Sequence, residues 1–308
     1  MEKISVITTV LNERESILAL LEALRVQTRQ PGEVIVVDGG STDGTFELIR
    51  QFQRQQPKFP LQVWQKKGNR SVGRNYALAK ARDKLVAITD AGCVPEPNWL
   101  GELAAKQRQT QAEVVAGYYR GAPGNNFAAA AVPYALVMPD RVNENNFLPA
   151  TRSMLITKQI WQKAGKFDEK LSDNEDYAFA KKLEKMGVKM AFAPRAVVAW
   201  QPPENFGSFY RMIFRFARGD IQAGILRPKV VLIFARYLAG LVLLFFLPST
   251  VLPLILLYLL WAILKNKKYV PRGWYWLPLL QVLSDLAAMQ GSFAGFLGYI
   301  FNSTTSGK

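Results

Sequence analysis

The side chains in this chain whose placement points to acid–base or ligand chemistry are carboxylates. There is no histidine and one cysteine among 308 residues. The commonest general base and metal ligand is therefore missing. No intramolecular disulfide and no Cys/His zinc spacing can form. Proton transfer must rest on Asp, Glu, Lys, Tyr or a group of the ligand. The acids stand at recurring places. The stretch LVAITDAGCVPEPNWL, residues 85–100, climbs through an apolar run and stops at Asp90. EVIVV, residues 33–37, stops at Asp38, and the run 4–10 leads into Asn12 and Glu13. Glu175 and Asp176 open an amphipathic segment. Taken singly, each acid reads as readily as a helix cap or turn residue.

Such acids need elements to place them. Residues 4–10 are apolar and β-branched, a first strand. Asn12 precedes Glu15 at cap spacing, and Ile17, Leu18, Leu21 and Leu24 recur at helical period, so a helix follows. Pro31-Gly32 breaks it. Residues 33–37 are a second buried strand, and the turn GGSTDGT (39–45) opens a second helix. A strand at 61–65, a helix at 71–81 and a strand at 85–89 complete a β-α-β-α-β-α-β run. Short apolar runs alternating with amphipathic helices predict a parallel sheet covered on both faces. Ligands of such sheets sit beyond the carboxyl ends of the strands. Asn12-Glu13, Asp38 and Asp90 then share one edge.

Further on, 153–157 reads as a strand and 158–164 as a short helix ended by Gly165. Ser172 and Glu175 have capping-box spacing. Tyr177, Ala180, Leu183 and Met186 form an apolar stripe, and Gly187 is a stop signal. Strands are expected around 189–192 and 196–200. In the helix 206–218, Phe206, Phe209, Tyr210, Ile213 and Ala217 share one face and Arg211, Arg215 and Arg218 another, the pattern of an interfacial helix. Residues 230–247 and 251–264 are apolar runs joined by Pro248-Ser249-Thr250; the second is short of the roughly 20 residues a span needs. Arg227 and Lys229 precede the pair, and Lys265, Lys267, Lys268 and Arg272 follow it. Positive-inside logic makes a hairpin with both flanks cytoplasmic. The expectation is an integral membrane protein whose preceding domain lies on the cytoplasmic side. The third segment, 275–301, is diluted by Gln281, Ser284, Asp285 and Gln290, and reads either as a span or as an interfacial helix. The domain division expected is 1–222, including the basic helix 206–220, then a membrane region 223–308. Residues 1–12 read as a strand and polar turn, not as a signal peptide.

The net charge is +15, from 39 Lys+Arg against 24 Asp+Glu. Such an excess indicates an anionic partner. No nucleic-acid module is recognisable, so the apolar C-terminal part directs the charge to a membrane surface.

TTVLNERE (8–15), VVDGGSTDGT (36–45), GRNYALAKA (73–81), ITDAGC (88–93) and SDNEDYAFAKKL (172–183) occur in this order. In that order the chain resembles a family 2 glycosyltransferase of GT-A fold, over roughly residues 5–220. The resemblance implies an α/β, Rossmann-like, mostly parallel sheet with helices on both faces, followed here by C-terminal transmembrane helices. It implies a nucleotide-sugar donor, most commonly UDP-linked in the family, cleaved with inversion at the anomeric carbon. Asp38 would sit at the nucleobase–ribose slot beside the turn carrying Thr9, Asn12 and Glu13, with Gly40 letting the backbone approach. Asp90 matches the first Asp of the Asp-any-Asp motif that holds Mg²⁺ or Mn²⁺, but Gly92 stands where the second Asp belongs. Glu96 is a further oxygen donor downstream. Arg70 and Arg74 are alternative counter-charges for the diphosphate, because guanidinium suits phosphate oxygens. Asp176 matches the second acid of the family's catalytic Glu-Asp pair, assigned as base, with Glu175 the first.

Cys93 and Trp99 read as packed residues. The Gln-any-any-Arg-Trp motif of processive synthases is absent, which favours a single addition to a lipid or lipid-linked acceptor. Two other readings stay open: a silent nucleotide-sugar or anionic-lipid binder, for which Gly92 speaks, and a processive synthase. Sugar, acceptor and oligomeric state are not legible.

Overall fold

The computed structural model describes residues 2–305. It divides into two compact units: residues 2–120 with 142–201, and 121–141 with 202–305.

The first unit is built on an eight-stranded sheet, order β3-β2-β1-β4-β7-β6-β8-β5. Its strands are β1 Ile4–Val10, β2 Glu33–Asp38, β3 Leu61–Gln65, β4 Leu85–Ile88, β5 Cys93–Pro95, β6 Val114–Gly121, β7 Met154–Thr157 and β8 Met190–Trp200. The pairs β1–β2, β1–β4 and β2–β3 are parallel, as the alternating pattern predicts. Antiparallel β4–β7, β6–β7 and β5–β8 pairs make the sheet mixed. Every residue of β2 and β4 is buried, so both faces are covered at these strands, whereas the edge strand β3 is partly exposed.

Around it run α1 Ile17–Arg25, α2 Thr45–Gln55, α3 Arg70–Lys80, α4 Trp99–Thr110, α6 Lys158–Lys163 and α7 Glu175–Lys185; α5 Asn126–Ala135 belongs to the second unit. Trp161, Phe167, Phe179 and Leu183 pack with Ile7, Ile35, Val86 and Ile156 in the core.

Several sequence expectations are corrected. Asn12 does not cap α1. It takes φ 56°, and its Oδ1 accepts from the Thr42 amide at 2.9 Å, tying the end of β1 to the 39–45 turn. The capping box of α7 does not form: Asn174, not Ser172, occupies the cap position, and its side chain does not cap the helix. The buried face of α7 is Phe179, Ala180 and Leu183, and Met186 is exposed. The two strands expected at 189–200 are the one strand β8. The elements β5, α4, β6 and α5 carried no pattern that sequence reading used.

The second unit holds α8 Phe206–Gln222, α9 Pro228–Phe246, α10 Pro248–Asn266 and α11 Leu277–Thr305. Pro248 occupies the first turn of α10, where a missing N–H costs nothing. The turn is therefore at Leu247, and α10 with its short 3₁₀ extension to Tyr269 is longer than the sequence indicated. Both α9 and this extended α10 are long and apolar enough to cross a membrane. Phe245, Phe246, Leu252 and Leu264 lie exposed on them. The apolar face of α8 is covered: Phe209, Ile213 and Ala217 pack with Leu277, Leu280, Ala287 and Ala288 of α11. A Cβ on Gly291 would lie 2.3 Å from the Phe214 carbonyl oxygen, and one on Gly295 2.8 Å from that of Arg218, so α8 and α11 approach through small residues.

Gly73 sets how closely α3 can approach β1. A Cβ there would lie 2.7 Å from Thr9 Cγ2. Gly73→Ala should lower stability by about 1–3 kcal/mol of overpacking, less about 1 kcal/mol of helix propensity. The denaturant midpoint reads this, and Thr9→Ser, which removes Cγ2, should restore it. An unchanged midpoint in Gly73→Ala would show that the strand yields freely.

Candidate active site

The candidate site acids Glu13, Asp38, Asp90, Glu175 and Asp176, and Arg74, belong to the first unit. The β1 and β2 ends are locked by the 39–45 turn. Asp43 Oδ1 accepts from Thr45 N at 3.0 Å, and Asp43 Oδ2 accepts from Arg14 N at 3.2 Å. The Thr45 hydroxyl donates to Asp43 at 2.5 Å, and this bond leads the causes that hold the Asp43 carboxyl below its ordinary value. The Glu13 amide donates to the Thr45 hydroxyl at 2.9 Å, and Glu13 Oε2 accepts from Ser16 at 2.6 Å. Asp38 is wholly buried at the end of β2. Its Oδ1 accepts from the amides of Gly40 (φ +106°) and Ser41 at 2.8 and 2.9 Å, and its Oδ2 is buried with no hydrogen-bond partner. An orphaned buried acceptor of this kind suits a ligand N–H or O–H.

Arg74 is the centre of the second cluster. It is 2% exposed on α3. Its Nη2 donates to Asp90 Oδ1 at 2.8 Å, and its Nη1 donates to Glu175 Oε1 at 2.5 Å. One guanidinium thus joins the end of β4 to the start of α7. Burial disfavours its charge, but Asp90, Glu175 and Asp176 outweigh burial and raise its pKa. Burial likewise opposes the Asp90 carboxylate. Arg74, then Arg152 and Arg70, more than compensate, and hold its pKa below the ordinary value of 3.8. Glu175 is 3% exposed, with Oε2 buried and unpartnered. Its engagement with Arg74 explains the missing capping box. Asp176, half-buried, points differently: its Oδ1 accepts from the Tyr177 amide at 2.8 Å and its Oδ2 lies 3.5 Å from the Thr151 hydroxyl.

The segment carrying Glu175 is fastened to α3 by two asparagines. Asn69 caps α3 through Val72 N and donates to the Glu169 and Leu171 carbonyls at 2.7 and 3.1 Å. Asn75 Nδ2 donates to Phe167 O and Glu169 Oε1, and its Oδ1 accepts from Phe167 N and Trp161 Nε1. Sequence reading missed both, although the asparagine of GRNYALAKA was a signal within reach. It also missed Arg152, whose guanidinium lies 4.9 Å from the Trp200 ring and 5.5 Å from Tyr119. No local pattern marks that arginine.

Arg70 is exposed at the first turn of α3, within electrostatic reach of Asp90. Glu96 pairs with Arg120 at 3.0 Å and is directed there. Cys93 is fully buried, and burial pushes its thiol pKa up, which leaves it unreactive. Trp99 is fully buried and donates to Ser153 Oγ at 2.8 Å.

Among the described residues no three His, Cys, Asp or Glu gather as a cage for a cation. Asp90 has one oxygen engaged by Arg74, yet its side chain stays 32% exposed. A Cβ on Gly92 would meet nothing within 4 Å, so the space beside Asp90 is open. This donor set does not fit a protein-caged metal. It fits a cation shared with ligand phosphates, as Mg²⁺ is commonly held.

An open α/β sheet with buried acceptors and a carboxylate–arginine cluster beyond its parallel strands is a nucleotide-sugar transferase arrangement of GT-A type. The glycosyl transferase family 2 profile matches residues 5–162, and a family group 2 profile matches 136–289. The chain belongs to glycosyl transferase family 2. Glycosyltransferase AglE of Haloferax volcanii is 28% identical over 228 residues, which is 72% of this chain and 74% of AglE. The chain spans under half the length of several other curated relatives. Among solved structures, the mannosyltransferase PcManGT of Pyrobaculum calidifontis, in complex with GDP-Man and Mn²⁺, aligns with TM-score 0.61 at 20% identity over 98% of this chain and 88% of that one. TarS 1–349 of S. aureus in complex with UDP-GlcNAc aligns with TM-score 0.54 at 19% identity over 96% of this chain and 92% of that one. These two likenesses establish the fold.

Removing Arg74 should leave two carboxylates facing each other, one of them buried. Arg74→Gln is expected to cost about 3–5 kcal/mol at pH 7. In the intact protein, the depressed Asp90 pKa stabilises the fold above the ordinary value of 3.8, and that contribution is lost as pH falls through the lower folded value. The variant lacks this contribution and can relieve its repulsion by protonation. Its deficit should therefore be full at pH 7 and smaller at about pH 3, below the ordinary carboxylate value. Denaturant midpoints at both pH values check this; an equal deficit at both would mean that the bridge carries no charge coupling.

Proposed function

We propose that the chain is a membrane-anchored inverting glycosyltransferase. It moves a sugar from a nucleotide-sugar, UDP-linked by family preference, to a lipid or lipid-linked hydroxyl at the cytoplasmic face. The observation that carries this reading is the bridge from Asp90 through Arg74 to Glu175, with Asp176 next in sequence. It gathers a donor-side acid and a base-side acid at one sheet edge.

In this reading Asp38 Oδ2 accepts from the nucleobase or ribose, which gives a partner to an otherwise orphaned oxygen. Thr9, Asn12, Glu13 and Gly40 form the slot around it. The diphosphate lies at Asp90, where Arg70 and Arg152 supply fixed positive charge. A divalent cation bound there would neutralise charge developing on the leaving diphosphate; the Mn²⁺ complex of the structural relative PcManGT supports it. Arg74 is committed to Asp90 and Glu175, so its part is to position them. Asp176 takes the acceptor's hydroxyl proton as the acceptor oxygen bonds to the anomeric carbon. The bond to the diphosphate oxygen breaks with its electron pair leaving on the nucleotide. One displacement inverts the centre, and no enzyme nucleophile is needed.

The membrane part of the reading rests on α9 and α10. Arg227 and Lys229 enter the pair and Lys267, Lys268 and Arg272 leave it at the same end of an antiparallel hairpin, the cytoplasmic end by charge.

Detergent-solubilised protein, given UDP-, GDP- and TDP-sugars with native lipid extract, should release nucleoside diphosphate from one donor in a lipid-dependent way. EDTA should suppress release. Release that survives EDTA would place the whole counter-charge on Arg70 and Arg152. Asp176→Asn should keep donor binding and lose about a hundredfold or more in turnover. Equal turnover would remove Asp176 as base, and donor binding without release in the intact protein would favour the silent binder.

A further inference from the structure

The second unit contains a charged cluster that sugar transfer leaves unused. Asp285 on α11 is 1% exposed. It accepts from Arg236 Nη2 on α9 and from the Tyr258 hydroxyl on α10. The Tyr237 hydroxyl lies 3.5 Å away, and Gln281 Nε2 donates to its other oxygen at 3.1 Å. Three helices thus meet on one acid. The Arg236 guanidinium lies 4.5 Å from the Tyr258 ring centroid, yet its side chain stays 38% exposed. It stands eight residues past Pro228, about 12 Å along the helix axis. In a hairpin that spans a membrane this is below the headgroups. A charge at such depth is costly and marks a pathway or a ligand.

Cations exceed acids around it. Lys229 opens α9, Lys265 closes α10, and Arg141 Nη2 donates to the Lys265 carbonyl at 2.9 Å. Lys229, Arg141 and Arg236 all act electrostatically on Lys265, with Asp285 the acid among them. Four basic groups against one carboxylate leave three positive charges. Lys265 Nζ lies 3.3 Å from Gln281 Oε1 and 4.7 Å from the Trp261 ring centroid, which draws it toward the same cluster. Beyond it, α9 and α10 expose Leu232, Leu238, Leu257 and Leu260.

We propose that Lys229, Arg236, Lys265 and Arg141 bind the phosphate of an anionic lipid, with its hydrocarbon chain lying along the exposed faces of α9 and α10. A phosphomonoester suits the site best, since its charge approaches −2. Arg236, pre-oriented by Asp285 and Tyr258, offers a planar fork for two phosphate oxygens. The lysines supply field and shield the buried acid from the anion. The inference rests on the membrane reading above.

The full chain would be reconstituted into phosphatidylcholine nanodiscs with and without 5 mol% phosphatidic acid, about one lipid in twenty, and lipid retained after detergent extraction counted by native mass spectrometry. Phosphatidic acid should be retained with the wild type and reduced about tenfold in Lys229→Gln/Lys265→Gln, which breaks no buried ion pair. Phosphatidylglycerol, a diester, should be retained less. Arg236→Gln risks misfolding because Asp285 loses its partner, so Arg236→Gln/Asp285→Asn is the second variant, with the same loss expected. Equal retention in wild type and lysine variant overturns the site. Displacement by millimolar inorganic phosphate would assign it to a soluble anion and overturn the lipid. Recovery of the protein in the aqueous fraction without detergent would overturn the membrane reading itself, and is distinguishable from both.

Discussion

Arg74 is the only cation in contact with both Asp90 and Glu175 among the described residues, and it reaches them from inside the protein. The edge where strands β1, β2 and β4 end collects like charges by construction, because each parallel strand delivers its terminal acid to the same side. Asp176 adds another at the start of α7. Without a counter-charge the cluster would relax by moving apart or by taking up protons. A guanidinium serves both carboxylates at once because its two Nη groups form a planar fork. A lysine ammonium is a point charge and fixes no such angle. Taking Arg74 out of water is costly, and the two carboxylates offset that cost only while both stay in place. The geometry of the reactive edge is therefore coupled: α3, β4 and α7 hold their places together.

That coupling depends on space as well as charge. Arg74 can reach Asp90 only because α3 lies against β1, which Gly73 permits. It can reach Glu175 only because Asn69 and Asn75, on the same helix, pull the 167–171 segment onto α3. Asn75 uses its amide in four hydrogen bonds, two donated and two accepted, so its partners fix its orientation. Asp38 is held differently, by backbone amides of the turn that follows it. The nucleotide slot and the Arg74 cluster are thus built by independent means on one sheet, and damage to one need not disturb the other.

The parts of this arrangement written locally were legible in the sequence. Runs such as EVIVV and LVAI are buried strands by composition, and their order with amphipathic helices predicts the parallel half of the sheet. The acids at their ends follow from register. What could not be read depends on partners distant in sequence. Glu175 has the spacing of a capping residue, but a buried arginine about a hundred positions away competes for it and wins. Arg152 follows no motif; only folding brings it near Asp90 and over Trp200. Two short strands were expected at 189–200, where the single strand β8 runs through. Pro248 suggested a turn, while the first helical position accepts proline. The apolar face of α8 matched a membrane-interface pattern because a helix that covers another protein helix presents the same periodicity.

The last point bears on how charge is used in the apolar part of the chain. With Phe209, Ile213 and Ala217 covered by α11, the α8 face left for any anionic surface carries Arg211 and Arg215, and contact would be electrostatic and salt-sensitive. Arg236 is held deeper, against Asp285, and so is less screened. The two units thus use the same device, an arginine fixed by an acid that burial deprives of water. They use it in opposite proportions: at Arg74 acids outnumber the cation in contact with them, whereas around Asp285 cations outnumber the acid. The first arrangement favours a cation or a protonated donor as its visitor. The second favours an anion. A chain without histidine can set both preferences by composition alone, since guanidinium and carboxylate keep their charges across the neutral range.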